Sequence, residues 1–311
     1  LKENLFIINP ASARGRALRA WMRARKKLIE SGIEFEECVT QSAGEGEDIA
    51  RRAISQGVRR VIAAGGDGTI SEVVNGYFDG RGNALNPDAA IGLIARGTGS
   101  DFQRSLADRS NESRIVSLLK SEARRIDAAF ATFTTEDGAT ASRLFINLAS
   151  FGLSGEVVSL VNGWRSHWPQ WLGGRFRYAA AALAALRKYR NVEVEIELDG
   201  ERKIQIESFL IAVANGRYAG GGMLFAPAAQ LDDGLLNVIV TDRVSRAGII
   251  RELSRIRRGG HLNNPKVTEH SASEVSVTAR PRLAFEIDGE MVGYTPARIK
   301  ILPGAVRFLT G

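Results

Sequence analysis

One cysteine, Cys38, and three scattered histidines, His167, His261 and His270, are all that 311 residues offer to disulfide or soft-metal chemistry. A single thiol excludes an intrachain disulfide and a cysteine zinc site, and the histidines lack metal-ligand spacing. Cys38 reads as a small buried residue of a strand, and the histidines as surface or structural residues. Long apolar runs are also missing. The strongest helical one, around Tyr178 to Leu186, is much too short to cross a bilayer, and no basic-then-apolar leader opens the sequence. The expected location is the cytoplasm, with any membrane met from the side at its inner face. No block of like charge exists, so nucleic acid is not an expected partner, although 42 Lys and Arg against 35 Asp and Glu leave a net charge of +7. That surplus suits nucleotides or anionic headgroups as well as a merely basic surface. A Ser-His-Asp hydrolase elbow, internal repeats and low-complexity tracts are absent, and nothing in the sequence reports oligomeric state.

What the sequence does have centres on Val61, Ile62, Ala63 and Ala64, an apolar run that stops at Gly65-Gly66-Asp67-Gly68 and restarts as Thr69-Ile70-Ser71. The pattern predicts a strand, a phosphate-sized turn and a helix whose apolar face is Ile70, Val73, Val74 and Tyr77. Three glycines in four positions permit positive φ and close approach of a ligand to the main chain. Free N–H groups at the helix start favour an anion such as a nucleotide phosphate. Asp67 would repel that phosphate unless a cation or hydrogen-bond donors intervene, which points to magnesium or a ribose contact. The turn lacks the Lys-Ser/Thr ending of a P-loop and the spacing of the dinucleotide fingerprint. A tight turn that only connects strand to helix is the competing reading.

In order, Leu5 to Ile8 reads as a buried strand ending at Asn9-Pro10, followed by a helix from about Ala17 to Ile29. Asn9 and Ser12 could bond phosphate while Arg14 and Arg16 supply charge, or could serve only turn and capping chemistry. Strands at Glu34 to Thr40, Val58 to Ala64 and Ala89 to Ile94 alternate with helices. The last leads into a second glycine turn at Gly97-Thr98-Gly99. This alternation implies an α/β domain with ligand loops at the strands' C-terminal ends. From about Ile126 the pattern turns to β. Leu144 to Ala149 reads as one strand, Val192 to Leu198 alternates with glutamates, and Asp199-Gly200 makes a hairpin turn to a strand through Ile204 and Val213. Leu235 to Val240, Val267 to Val277, Leu283 to Ile287 and Ile299 to Leu302 follow. The expected architecture is a Rossmann-like α/β domain over 1–125 and an all-β, sandwich-like domain over 126–302, with 303–311 a candidate to return to the first. Three of the four tryptophans lie among arginines in residues 164–178, a composition that suits a membrane interface or an interdomain packing helix.

The glycine turn with Ile70-Ser71-Glu72-Val73-Val74-Asn75-Gly76 resembles the signature of the diacylglycerol kinase catalytic-domain family. That family includes bacterial lipid kinases and sphingosine kinases and is distantly similar to NAD kinases. The resemblance continues at Asn9-Pro10, Gly97-Thr98-Gly99-Ser100-Asp101-Phe102, Asn147 and Ser150-Phe151-Gly152. It extends through Asn215-Gly216, Gly221-Gly222, Pro227, Asp232-Asp233-Gly234-Leu235 and Asp288-Gly289-Glu290. Ser100 departs from it, since many members carry Asn there. The resemblance implies an NAD-kinase-like first domain and ATP held in the interdomain cleft by Asn9, Ser12, Thr40, Gly65, Gly66, Asp67, Gly68, Thr69, Ile70, Ser71, Gly97 and Thr98. It further implies a magnesium ion (Mg2+) in the second domain at Gln230, Asp233 and Leu235, through backbone oxygens and the aspartate.

Transfer of phosphate to a lipid hydroxyl needs positioned phosphates, metal neutralisation of charge and a base near the acceptor. On this resemblance Glu290 accepts the hydroxyl proton, with Asp288 orienting the site or sharing the role, and Asp67 and Asp101 organise nucleotide and catalytic magnesium. The implied partner is a lipid at a membrane surface, such as a diacylglycerol. Two other readings stay open: a kinase of a soluble acceptor, and a nucleotide- or lipid-binding regulator without catalysis.

Overall fold

The computed structural model describes residues 2–95, 101–106, 114–164, 173–188 and 190–310. The strands are β1 (Asn4–Ile8), β2 (Glu36–Val39), β3 (Arg60–Gly65), β4 (Ala90–Ala95), β5 (Ala123–Thr134), β6 (Thr140–Phe145), β7 (Leu148–Gly152), β8 (Val192–Leu198), β9 (Arg202–Ser208) and β10 (Leu210–Ala214). They continue with β11 (Tyr218–Ala219), β12 (Met223–Leu224), β13 (Leu236–Thr241), β14 (Val267–Ala272), β15 (Glu274–Arg280), β16 (Ala284–Ile287) and β17 (Glu290–Leu309). The helices are α1 (Arg16–Glu30), α2 (Glu45–Ser55), α3 (Asp67–Tyr77), α4 (Asp101–Ser105), α5 (Ile115–Lys120), α6 (Leu153–Gly163), α7 (Gly173–Lys188) and α8 (Arg246–Arg255).

Strands β2, β1, β3 and β4 lie parallel in that order. Because β1 is buried on both faces, its apolar run is continuous, and alternate residues feed two different cores. Phe6 and Ile8 pack with Trp21, Ala24 and Leu28 of α1, whereas Leu5 and Ile7 pack with Ala50 and Ile54 of α2 and Val73 and Val74 of α3. Helices α2 and α3 touch closely. A Cβ on Gly76 would stand 2.4 Å from the Glu47 carbonyl oxygen. Cys38 is half-buried against the α2–α3 side rather than enclosed.

From β5 onward the chain is antiparallel and forms the β-sandwich domain, whose core joins Phe133, Phe151 and Phe285 to the apolar residues of β8, β10, β13 and β15. Strand β17 pairs with β16, β15 and β5, and near its end Phe308 pairs in parallel with Ile91 of β4. The α/β sheet and the sandwich are thus hydrogen-bonded into one surface, and the site lies where they meet.

Three expected strands are each two. Leu144 to Ala149 divides into β6 and β7, because the chain bends at Ile146 and Asn147, whose carbonyls take the Asn215 amide and the Asn215 and Gly216 N–H groups. Ile204 to Val213 breaks at Phe209. Val267 to Val277 breaks at Ser273, whose N–H and hydroxyl, with the Glu274 N–H, are captured by Asp199 Oδ1. Asp199 does this from the expected hairpin turn, with positive φ at both Asp199 and Gly200 (53° and 72°). The tryptophan-rich stretch at 165–172 lies outside the described residues.

Candidate active site

Asn9, Thr40 and the glycine turn follow β1, β2 and β3, so the parallel register brings them to one edge of the sheet. Asn9 turns its own loop: Oδ1 accepts from the Ala11 and Ser12 N–H groups at 3.1 and 3.2 Å. Ser12 opens a half-buried 3-10 turn beside it. Thr40 is buried and bonded through its N–H to the Ile8 carbonyl. Gly97 and Thr98 lie outside the described residues.

The glycine turn differs from its sequence reading in conformation. Gly65, Gly66 and Gly68 are not among the positive-φ residues, and Gly66 is extended at φ −107°. Space is what requires glycine at position 65, where a Cβ would stand 2.2 Å from Thr69 Oγ1, and Gly68 has nothing within 4 Å of a Cβ and leaves the backbone open to approach. The helix starts at Asp67, two residues before Thr69. Ile70, Val73, Val74 and Tyr77 are buried as expected, while Thr69 Oγ1 and Ser71 Oγ are buried with no partner. Two unpaired hydroxyls in the first turns of a helix are costly unless something bonds them, and a phosphate or a hydrated cation is such a partner.

Asp67 does not face an anion unassisted. Its two carboxylate oxygens accept the Asp101 and Phe102 N–H groups at the start of α4, both at 3.2 Å. Burial raises its pKa, and these backbone donors oppose the rise. Asp101 in turn accepts the Gly221 N–H at 2.7 Å, leaving Oδ1 buried without a partner. Burial again raises the pKa, with further contributions from Asp67. The pair ties the glycine turn to the Gly221 loop of the second domain.

On the opposite side, β16 ends in a turn whose Asp288 has φ 49°. Asp288 exchanges two bonds with Leu148: its N–H donates to the carbonyl and its Oδ1 accepts the amide at 3.1 Å. Burial, with Glu286 and Asp67 nearby, raises its pKa to about 7 against the pull of Arg143. Asp67, from the first domain, is thus among the charges that bear on Asp288. Glu290 is more open, with its side chain 48% exposed, and forms an ion pair with Arg143 at 2.8 Å.

Gln230, Asp233 and Leu235 share one exposed loop. Asp233 Oδ1 accepts the Leu235 N–H at 3.0 Å, and buried Asp127 holds the loop by accepting the Gly234 and Gly304 N–H groups, each at 2.7 Å. Among the described residues no group of three Asp, Glu, His or Cys side chains has metal-binding geometry. The loop fits a hard cation only through the mixed set of one carboxylate and main-chain oxygens.

Sequence reading gave no role to four residues. Glu72 caps α2, accepting the Gly44 and Gly46 N–H groups. Asn75 clamps α3 to the second domain by bonding both the N–H and the carbonyl of Leu144. Asp127 and Glu286 are lone acids inside apolar strands, and that isolation was the available signal.

A glycine turn and a carboxylate turn on two sides of a domain boundary are parts that phosphoryl transfer to an alcohol would use. Residues 3–131 match the model for the diacylglycerol kinase catalytic domain, and residues 147–310 match the YegS C-terminal NAD kinase beta sandwich-like domain. A diacylglycerol kinase of Staphylococcus carnosus is 30% identical over 95% of this chain and 91% of its own. One from Mycobacterium tuberculosis is 28% identical, over 97% and 93%. The fold is shared with a Bacillus anthracis diacylglycerol kinase structure, with a TM-score of 0.71 at 20% identity covering 100% of this chain and 97% of that one. It is shared more distantly with yeast NADH kinase complexed with NADH, with a TM-score of 0.52 at 13% identity covering 98% and 82%. The chain belongs to the diacylglycerol kinase family of lipid kinases.

Proposed function

We propose that the protein transfers the γ-phosphate of ATP to the hydroxyl of a diacylglycerol-like lipid. The observation that carries this reading is the pairing of unpartnered Thr69 and Ser71 hydroxyls at one cleft wall with the Asp288–Glu290 turn at the other. Asn9, Ser12, Thr40, Gly65, Gly66, Asp67, Gly68, Thr69, Ile70, Ser71, Gly97 and Thr98 hold the nucleotide. The α3 N-terminus favours its phosphates, and the N–H groups of Asp101 and Phe102 keep Asp67 from repelling them. Magnesium, when bound with the nucleotide, neutralises charge developing on the phosphates. Asp67 and Asp101 would organise it, and a second, structural magnesium would sit at Gln230, Asp233 and Leu235.

Glu290 takes the acceptor's proton in this reading, because a base must touch a hydroxyl arriving from outside and Glu290 is the open carboxylate. Asp288, locked to Leu148, orients the turn. One observation favours the reverse assignment: Asp288, with its pKa near 7, is matched to proton transfer at neutral pH, whereas Arg143 holds Glu290. The lipid is met peripherally at the inner face of the membrane from the cytoplasm. Among the described residues no helix is long and apolar enough to cross it.

The test is purified protein with magnesium, γ-labelled ATP and a total lipid extract. Label in the organic phase is expected. Label only in a soluble acceptor, or saturable ATP binding without turnover, would overturn the lipid assignment.

A further inference from the structure

Glu286 is the buried ionisable group closest in sequence to the acceptor turn, and the reading above gives it nothing to do. It lies on β16, 6% exposed, two residues before Asp288. A β-bulge between Phe285 and Glu286 interrupts the pairing with β17, while Glu286 keeps its place opposite Ser150 of β7. Such bulges re-aim side chains next to functional sites. Here the carboxylate points behind the turn: Oε2 accepts the Gly289 N–H at 2.9 Å and Oε1 accepts the Ser150 hydroxyl, which also touches the Ser154 hydroxyl on α6.

Among the described residues no cation bonds Glu286. The charged groups around its turn are Asp288, Glu290 on β17 with Arg143 of β6 as its partner, and Asp67 of the first domain. The facing strand β7 and helix α6 offer only serines, and the acid of α6, Glu156, is exposed. A buried carboxyl without a cation is expensive. An apolar residue at this point in an otherwise apolar strand would fill the core without that cost. What it could not do is bond the Gly289 N–H.

We propose that Glu286 is a positioning residue of the acceptor turn, holding Asp288 and Glu290 in place through the Gly289 N–H. The inference rests on the kinase reading of that turn. Two variants test it. Glu286→Gln is an isosteric, permanently neutral stand-in: its amide oxygen can take the Gly289 N–H while its NH2 donates to the Ser150 hydroxyl. Glu286→Ala leaves the Gly289 N–H unpartnered and the Ser150 hydroxyl with Ser154 alone.

The expected result for Glu286→Ala is a fall in kcat of about tenfold or more with the KM for ATP unchanged. Glu286→Gln should restore most of kcat, since it keeps the bond to the Gly289 N–H. The proposal is overturned if Glu286→Ala keeps wild-type kcat or if Gln fails to rescue it.

Unfolding against pH is a readout that survives failure of the kinase reading. Burial raises the Glu286 pKa from 4.5 to about 7, so the folded state binds its proton more tightly than the unfolded state. The stability of wild type relative to Glu286→Gln must then fall as pH rises from about 4.5 to about 7 and level off above. A pH-independent difference would mean that Glu286 is not buried behind the turn as an ionisable group, and overturns the proposal even in a protein that phosphorylates nothing. Conversely, the pH-dependent difference in a protein without lipid turnover keeps the Glu286–turn linkage and removes the substrate.

Discussion

The two walls of the cleft solve one problem in opposite ways. Both place carboxylates at strand ends, where we propose that the nucleotide and the acceptor meet. On the nucleotide wall Asp67 receives two backbone N–H groups from the start of α4, each from a peptide that has no helical partner of its own. On the acceptor wall Asp288 receives a single N–H, and Glu286 one N–H and one hydroxyl. Two helix-end donors stabilise a carboxylate as an anion. At Asp288 and Glu286 the donors also oppose burial, but burial still lifts both to about 7. Burial raises the carboxylates of both walls; the first is tied to a helix start by two N–H groups, while the second can exchange protons near neutrality.

Removing the fixed charge should have the largest effect. Asp67→Ala frees the α4 N–H groups and removes the carboxylate beside the phosphates, so turnover should fall about a thousandfold or more while the melting profile stays cooperative. Turnover near wild type would mean that the glycine turn is not the catalytic nucleotide site.

The acceptor wall responds differently if the comparison holds. Glu290→Gln should lower kcat about 100- to 10,000-fold with ATP affinity intact. An acid limb with its midpoint near pH 7 that vanishes in Asp288→Asn but persists in Glu290→Gln would transfer the proton to Asp288 and sink the choice of Glu290.

The same contrast separates what the sequence disclosed from what it hid. The parallel strands, the glycine turn and the Asp199-Gly200 hairpin were legible because each rests on neighbours in the chain: continuous apolar runs, clustered glycines, a dipeptide at positive φ. The resemblance added the order of the distant motifs. Hidden were the long-range captures. Nothing near Ser273 in sequence announces that Asp199 will break the strand there, and nothing near Asn75 announces Leu144 as its partner, 69 residues on. The conformation of the glycine turn was misread because three glycines suggested positive φ, when the crowding of Gly65 by Thr69 is set by the helix that follows.

A smaller effect tests that correction. Gly65→Ala drives a Cβ against the Thr69 side chain, so Thr69 must shift and the KM for ATP should rise about tenfold with a lesser change in kcat. Gly289→Ala meets nothing within 4 Å but carries φ 84°, so it should cost about 1–2 kcal/mol of stability, through backbone strain. If the two variants behave alike, crowding does not distinguish the turns.

The smallest effect belongs away from both walls, at Asp233. A cation bound only by the folded protein stabilises it in proportion to the logarithm of occupancy, about 2.7 kcal/mol when the free ion is a hundredfold above its Kd. The Asp233 carboxylate is the one charged donor of the set with Gln230 and Leu235, and its loop is already fastened by Asp127 through Gly234 and Gly304. Asp233→Ala should therefore leave the apoprotein close to wild type, losing only the bond from the Leu235 N–H, about 1 kcal/mol at an exposed turn. Added magnesium should raise the Tm of wild type and not of the variant. Equal shifts in the two proteins would place the ion elsewhere. A large fall in the Tm of the variant without magnesium would mean that the loop depends on Asp233 itself, and that Asp127 alone does not hold it.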